Sequence, residues 1–217
     1  MRISHKHKYM FFSKPKSAST TIREILNDHC DLKHSEHREI KNILNPKNPF
    51  YSHIPPYEAE IQFQNKNWNI NEYSLFTTVR NPFSRIVSAY KHMTRKNMKW
   101  NEKNWSFERF VKSLILKNNI KNYKDAKWLY YSIHDHFYFI KDLKKSTNLT
   151  TFKIEDGMTP ILNYLKLLNI PITSEFTIIK NQHSYNGKTY KDFYTDELYE
   201  IVKEYYKKEI KHFNYKF

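Results

Sequence analysis

Short apolar runs alternate along this chain with longer segments in which apolar residues recur at helical spacing. The clearest apolar runs cover residues 9–13 and 74–80, and each is typical of a buried strand. Residues 137–140 and 149–154 are predicted as strands as well, and residues 50–53 as a brief one. Strands that alternate with helices indicate an α/β fold with a mostly parallel sheet.

Most predicted helices begin or end at a recognisable signal. Pro82 occupies a first-turn position, where its missing N–H costs nothing, Ser106 is a candidate N-cap, and Pro171 limits the helix before it. Helices are predicted over residues 19 to about 30, 106–118, 124–134, 157–169 and about 195–211, and two more begin at about residue 57 and at residue 82. In the last helix, the residues predicted to face inward are Leu198, Ile201, Val202, Tyr205 and Ile210. Residues 31–50 are predicted as a connecting loop with a short helix.

Length and charge narrow the functional classes. A chain of 217 residues without repeats or a long linker predicts one domain over 1–217. Lys and Arg number 37 against 22 Asp and Glu, and a net charge of +15 favours anionic ligands, nucleic acid among them. No run of about 18 apolar residues and no signal peptide are found, so we expect a cytoplasmic or otherwise soluble protein.

Two segments combine a strand, a basic turn and the start of a helix. Arg80 ends the second strand, and Ser88 follows eight residues later in the next helix. Helix N-termini present unpaired N–H groups and the positive end of the dipole, so both segments suit phosphate. Two such sites indicate a ligand phosphorylated at two ends. The first segment comprises Lys14, Pro15, Lys16, Ser17, Ala18, Ser19, Thr20 and Thr21.

Residues 15–21 (PKSASTT) and 79–90 (VRNPFSRIVSAY) resemble the two nucleotide-binding motifs of sulfotransferases that use 3′-phosphoadenosine 5′-phosphosulfate (PAPS). The likeness is closest to the carbohydrate branch that includes the heparan, dermatan and chondroitin enzymes. Residues 152–156 and the tail 181–217 resemble that family more weakly. The resemblance implies the sulfotransferase fold, related to P-loop kinases, with a central mostly parallel sheet flanked by helices. It also implies PAPS as donor without a metal, and a carbohydrate hydroxyl as acceptor.

The resemblance assigns roles to individual residues. The turn from Lys14 to Thr21 binds the 5′-phosphosulfate, and the cation of Lys16 supports the leaving oxygen as it becomes anionic. Arg80 grips the 3′-phosphate through a forked contact, and Ser88 adds a hydroxyl. Arg85, in the same motif, is expected to be a solvated helix residue.

The acceptor hydroxyl needs a base, and His53 is the first candidate because it lies between the two motifs, where the 2-O-sulfotransferases carry theirs. Glu58 and Glu60 are the alternatives, because other branches use a glutamate. His183 and Lys188 are weaker candidates for substrate or phosphate contacts.

Other functions stay open at this point. No Walker A sequence is present, which counts against a P-loop phosphotransferase, and a non-catalytic basic module for nucleotide or nucleic acid is the third interpretation. The closely spaced histidines at 5 and 7, 34 and 37, and 134 and 136 lack a convincing four-ligand set for zinc. The expected partners are therefore a nucleotide donor and an anionic or neutral glycan, with no nucleic acid. The compartment would be the Golgi lumen if the chain is a trimmed domain, since animal members of this branch carry a membrane anchor.

Overall fold

The computed structural model describes residues 1–33, 48–95, 104–124, 126–141, 143, 149–172 and 187–217. The described strands are β1 (Arg2–Ser4), β2 (Tyr9–Phe12), β3 (Leu32–Lys33), β4 (Ser74–Val79) and β5 (Leu149–Lys153). The α-helices are α1 (Ser19–Ile25), α2 (Pro56–Asn65), α3 (Pro82–Met93), α4 (Phe107–Val111), α5 (Lys127–Ile133), α6 (His136–Phe139), α7 (Thr159–Leu167), α8 (Asp196–Tyr205) and α9 (Lys207–Phe213).

The strands form one sheet in the order β3-β1-β2-β4-β5. β2 pairs with β4, and β4 with β5, in parallel, whereas β1 pairs antiparallel with both β2 and β3. The sheet is therefore mixed rather than mostly parallel. β1 and β3 were not predicted, because each is only two or three residues long and is too short to show an alternation of apolar and polar residues.

Contacts group the chain into two compact units, each made of two segments. The first unit comprises Met1–Val79 and Tyr138–Asn181, and the second comprises Arg80–Phe137 and Gln182–Phe217. The sheet belongs to the first unit. The single domain predicted over 1–217 stays a prediction.

The core of the first unit lies between the sheet and two helices. Apolar side chains from β2 and β4 pack against others from α1 and α7, and all are buried. The buried residues of this cluster are Tyr9, Phe11, Ile22, Ile25, Leu26, Phe76, Met158, Ile161, Leu165 and Ile170. This packing fixes β2, which precedes the first motif, and α1, whose first turn is part of that motif.

The second unit is helical in its described part, and several of its elements differ from prediction. Ser106 caps α4 by accepting from the Arg109 N–H at 3.1 Å, as predicted, and the helical path continues through residues 112–116. The tail is two helices, α8 and α9, which break at Tyr206 instead of forming one. Buried positions in this tail include Leu198, Val202, Tyr206 and Glu209, so Tyr206 replaces the predicted Tyr205 as the buried tyrosine.

Two predicted strands are wrong. Residues 50–53 contain a turn at Ser52 and His53 instead of a strand, and residues 136–139 form the short helix α6. Most of the predicted loop 31–50 lies outside the described residues. None of the helices that the structure describes is long and apolar enough to cross a membrane.

Candidate active site

The first motif is a tight turn between β2 and α1. Lys16 and Ala18 both have left-handed backbone, with φ of 63° and 56°, on either side of Ser17. This conformation costs an ordinary L-residue about 1–2 kcal/mol. It persists only where surrounding contacts hold it, and such strain is concentrated at functional sites.

Thr78 of β4 provides such a contact, while the neighbouring Thr77 holds the end of β2. Thr78 donates its hydroxyl to the Ser17 carbonyl at 2.5 Å, and the neighbouring Thr77 donates to the Phe12 carbonyl at 2.8 Å. Both threonines are fully buried. The turn is thus attached to the strand beside β2 as well as to β2 itself.

The side chains of the turn are largely enclosed. Lys14 is fully buried with its ammonium 5.4 Å from the ring centre of Phe139, and Lys16 is half-buried. The Ser17 hydroxyl is buried and has no hydrogen-bond partner among the described residues. Since buried hydroxyls are normally bonded, this one suits a ligand oxygen. Pro15, Ser19 and Thr21 are buried, while Ala18 and Thr20 are half-buried.

The structure attaches His53 to the first motif. The His53 Nδ1 lies 2.7 Å from the carbonyl oxygen of Ser13, the residue that follows β2 and precedes Lys14. A carbonyl can only accept, so Nδ1 carries the hydrogen and the lone pair of the neutral ring is on Nε2. An imidazole fixed in this tautomer is arranged to take up a proton at Nε2.

Hydrogen bonds also hold the turn that carries His53. Arg23, on α1, donates to the Ser52 hydroxyl at 2.5 Å and lies near the Thr20 hydroxyl at 3.3 Å. Burial, and then the charge of Arg2, lower the pKa of Arg23 to about 10. The turn at 52–53 is therefore tied both to the start of the motif and to the helix after it.

The alternative bases have other surroundings. Both carboxylate oxygens of Glu58 accept from tyrosines, from Tyr51 at 2.6 Å and from Tyr57 at 2.9 Å. Glu60 is buried on α2. The contact with Ser13, the residue just before the first motif, favours His53 as the candidate base.

The second motif opens the second unit. Asn81 caps α3 by accepting from the Phe83 N–H at 3.1 Å, and Pro82 occupies the first turn as predicted. Arg80 is half-buried, and its Nε donates to the Ser84 hydroxyl at 2.8 Å. Ser88 is buried two turns into α3.

Arg85 contradicts the expectation of a solvated residue, because its side chain is 0 % exposed. Its guanidinium makes a bidentate pair with Glu209, at 2.6 Å to Oε1 and 2.8 Å to Oε2. Burial alone would lower the pKa of Arg85, but the charge and hydrogen bonds of Glu209 outweigh it and raise the pKa. The same guanidinium donates to the Arg80 carbonyl at 3.0 Å and to the Ser132 carbonyl at 3.2 Å.

Sequence reasoning missed Glu209, Thr78 and Arg23. A usable signal existed for Glu209, because it lies three and seven residues after Tyr206 and Val202, on the inward face of the tail helices. A carboxylate there requires a buried cation as partner. Nothing in the local sequence distinguishes Thr78 from Thr77.

The remaining candidates are His183, Lys188 and the closely spaced histidines. His183, with the weakly similar segment around it, lies outside the described residues, and Lys188 is exposed. His34 and His37 also lie outside them. Across the described ranges, no three His, Cys, Asp or Glu side chains are grouped so as to hold a metal ion.

Comparison with known proteins identifies the family of this chain. The chain matches the family model described as "Sulfotransferase family" over residues 1–216. No curated protein matches it. The match covers both phosphate motifs, His53 and the Arg85–Glu209 pair, and it establishes that this chain belongs to the sulfotransferase family.

Proposed function

We propose that this sulfotransferase transfers the sulfuryl group of PAPS to a hydroxyl of a carbohydrate acceptor. The observation that carries the proposal is the hydrogen bond from His53 Nδ1 to the Ser13 carbonyl at 2.7 Å. It connects a candidate base to the same short turn that carries the candidate cation, Lys16. In-line transfer to a hydroxyl requires both a base and a cation, and here a candidate for each is fixed to the same turn.

In the proposed reaction the acceptor oxygen attacks sulfur, and the bond from sulfur to the bridging oxygen of the phosphosulfate breaks. The electron pair of that bond remains on the 5′-phosphate of the product, adenosine 3′,5′-bisphosphate. Lys16 stabilises the charge that develops there. The proton of the acceptor hydroxyl passes to Nε2 of His53, whose tautomer leaves the lone pair at that nitrogen.

The 5′-phosphate is assigned to the turn from Lys14 to Thr21. The buried hydroxyl of Ser17, which lacks a partner among the described residues, supports this assignment. The left-handed backbone at Lys16 and Ala18 supports it as well, because alternating backbone conformations turn successive N–H groups toward an anion.

The 3′-phosphate is assigned to Arg80 and Ser88. Arg80 follows directly on Val79, the last residue of β4, and β4 is the parallel neighbour of β2. The carboxyl ends of parallel neighbours lie at one sheet edge, where open α/β sheets bind ligands. Arginine suits this role because its guanidinium makes forked bonds to phosphate oxygens.

The acceptor is proposed as a neutral or anionic glycan. The support is the resemblance of the motifs to the carbohydrate branch, together with a net charge of +15, which attracts anionic chains.

Two measurements test the proposal. In a thermal-shift assay, adenosine 3′,5′-bisphosphate should raise the melting temperature, whereas ATP with magnesium should have little effect. Transfer of label from PAPS to a panel of glycans should then identify the acceptor. Stabilisation by ATP with magnesium alone would point to a phosphotransferase, and label on small phenols but on no glycan would contradict the carbohydrate acceptor.

A further inference from the structure

Thr78 belongs to neither motif, yet its side chain contacts the first one. It is fully buried on β4, one residue before the second motif begins, and its hydroxyl reaches across to the Ser17 carbonyl at 2.5 Å. This bond joins two residues that are 61 positions apart in the chain. The acceptor of the bond lies in the middle of the first motif.

The hydrogen bond from Thr78 reaches the turn at its most strained point. Ser17 lies between Lys16 and Ala18, whose φ values of 63° and 56° are both unfavourable for residues with a side chain. The carbonyl that Thr78 holds therefore belongs to the residue between two strained neighbours. Without this bond, the two residues could relax toward ordinary conformations and carry the Lys16 side chain with them.

We propose that Thr78 is a positioning residue for sulfuryl transfer. Its hydroxyl holds the Ser17 carbonyl and thereby keeps the strained backbone in the conformation that directs Lys16 to the leaving oxygen. The inference rests on the proposed function, in which Lys16 supports that oxygen. In this inference Thr78 acts through the Ser17 carbonyl and Lys16, and not on the donor itself.

The adjacent residue Thr77 provides a matched control. It is also a fully buried threonine of β4, and its hydroxyl also donates to a carbonyl of the β2 segment. Its acceptor, Phe12, is the last residue of β2 and not part of the strained turn. A valine at either position removes one buried hydroxyl and one hydrogen bond, but only the change at Thr78 releases the turn.

The experiment compares the full chain with Thr78→Val, Thr78→Ser and Thr77→Val. For each, urea unfolding gives the stability, calorimetry gives the affinity for adenosine 3′,5′-bisphosphate, and labelled PAPS gives kcat and KM. We expect Thr78→Val to lower kcat by about 10- to 100-fold, with a smaller change in KM, because displacement of a catalytic group by about 1 Å has effects of this size. Thr78→Ser should restore most of the loss, and Thr77→Val should turn over like the wild type.

The outcomes separate this inference from the function on which it rests. If wild-type protein transfers label but both valine variants have the same kcat, Thr78 has no positioning role. If Thr78→Val and Thr77→Val lose kcat equally and also lose stability equally, Thr78 contributes only to packing. If wild-type protein neither binds the bisphosphate nor uses PAPS, the proposed function fails and this inference fails with it. Should Thr78→Val not fold, Thr78→Ala and Thr77→Ala serve in the same comparison.

Discussion

The buried pair of Arg85 and Glu209 gives the most quantitative prediction for this protein. Replacement of Glu209 by alanine leaves the Arg85 guanidinium without its carboxylate in a position where the side chain is 0 % exposed. Two short hydrogen bonds are lost together, at 2.6 and 2.8 Å. Removal of one partner of such a pair typically costs about 3–5 kcal/mol of the free energy of unfolding.

For a chain of this size, about 1 kcal/mol shifts the melting temperature by roughly 2–4 °C. We therefore expect Glu209→Ala to melt roughly 6–20 °C below the wild type in a calorimetric scan. Glu200→Ala is the control, because Glu200 pairs with Lys203 at 3.0 Å on the exposed face of α8. Its melting temperature should hardly change, since exposed pairs contribute little.

The pair also predicts an effect on ligand binding. Arg85 donates to the carbonyl of Arg80, the residue assigned to the 3′-phosphate. A double variant, Arg85→Met with Glu209→Leu, removes both charges and should recover much of the stability, because apolar replacement of a buried pair is often neutral. Its affinity for adenosine 3′,5′-bisphosphate should nevertheless be lower than that of the wild type, since Arg85→Met removes the bond to the Arg80 carbonyl.

The reasoning would be refuted by a Glu209→Ala variant that melts within about 2 °C of the wild type, because that result is incompatible with a buried uncompensated charge. A double variant with recovered stability and normal nucleotide affinity would refute the second step alone. Arg85 would then stabilise the unit without positioning Arg80.

The other predictions concern the proposed reaction. Lys16→Ala should lower kcat by roughly 100-fold or more in the labelled-PAPS assay, and a raised KM with normal kcat would show that Lys16 acts only in binding. Arg80→Ala should cost on the order of 2–4 kcal/mol of affinity for adenosine 3′,5′-bisphosphate in calorimetry, and unchanged affinity in a folded variant would contradict the assignment. If His53 is the base, activity should rise with pH as the ring loses its proton, because only the neutral ring accepts a proton. His53→Ala should abolish that rise and most turnover while nucleotide binding survives; if Glu58→Gln or Glu60→Gln has these effects instead, the base is a carboxylate.

Features determined by neighbouring residues could be predicted from the sequence. Apolar runs predicted β2, β4 and β5, and the helix that starts at Pro82 and the cap at Ser106 followed from positional preferences that operate within one turn. The two phosphate motifs are equally local, since each is a strand end and the helix start that follows it. These local features were enough to predict the α/β class and the family from the sequence alone.

Features that depend on distant partners could not be predicted in this way. Residues 136–139 are rich in aromatic residues, which favour strands by composition, yet they form a short helix. The sheet is mixed because β1 pairs antiparallel with a strand on each side. These backbone hydrogen bonds leave no pattern in the three residues of β1. Intrinsic preference is a weak guide for such short segments, because tertiary pairing decides their conformation.

The candidate site shows the same division. The residue types in the motifs were readable from the sequence, but the environment of Arg85 was not, because its partner Glu209 is 124 positions away. Likewise, the attachments of His53 to Ser13 and of Thr78 to Ser17 join residues 40 and 61 positions apart. The sequence by itself determined which groups are available for sulfuryl transfer. Only the tertiary structure decided which buried charges are paired and how the turn is held, because those contacts form only when distant segments pack together.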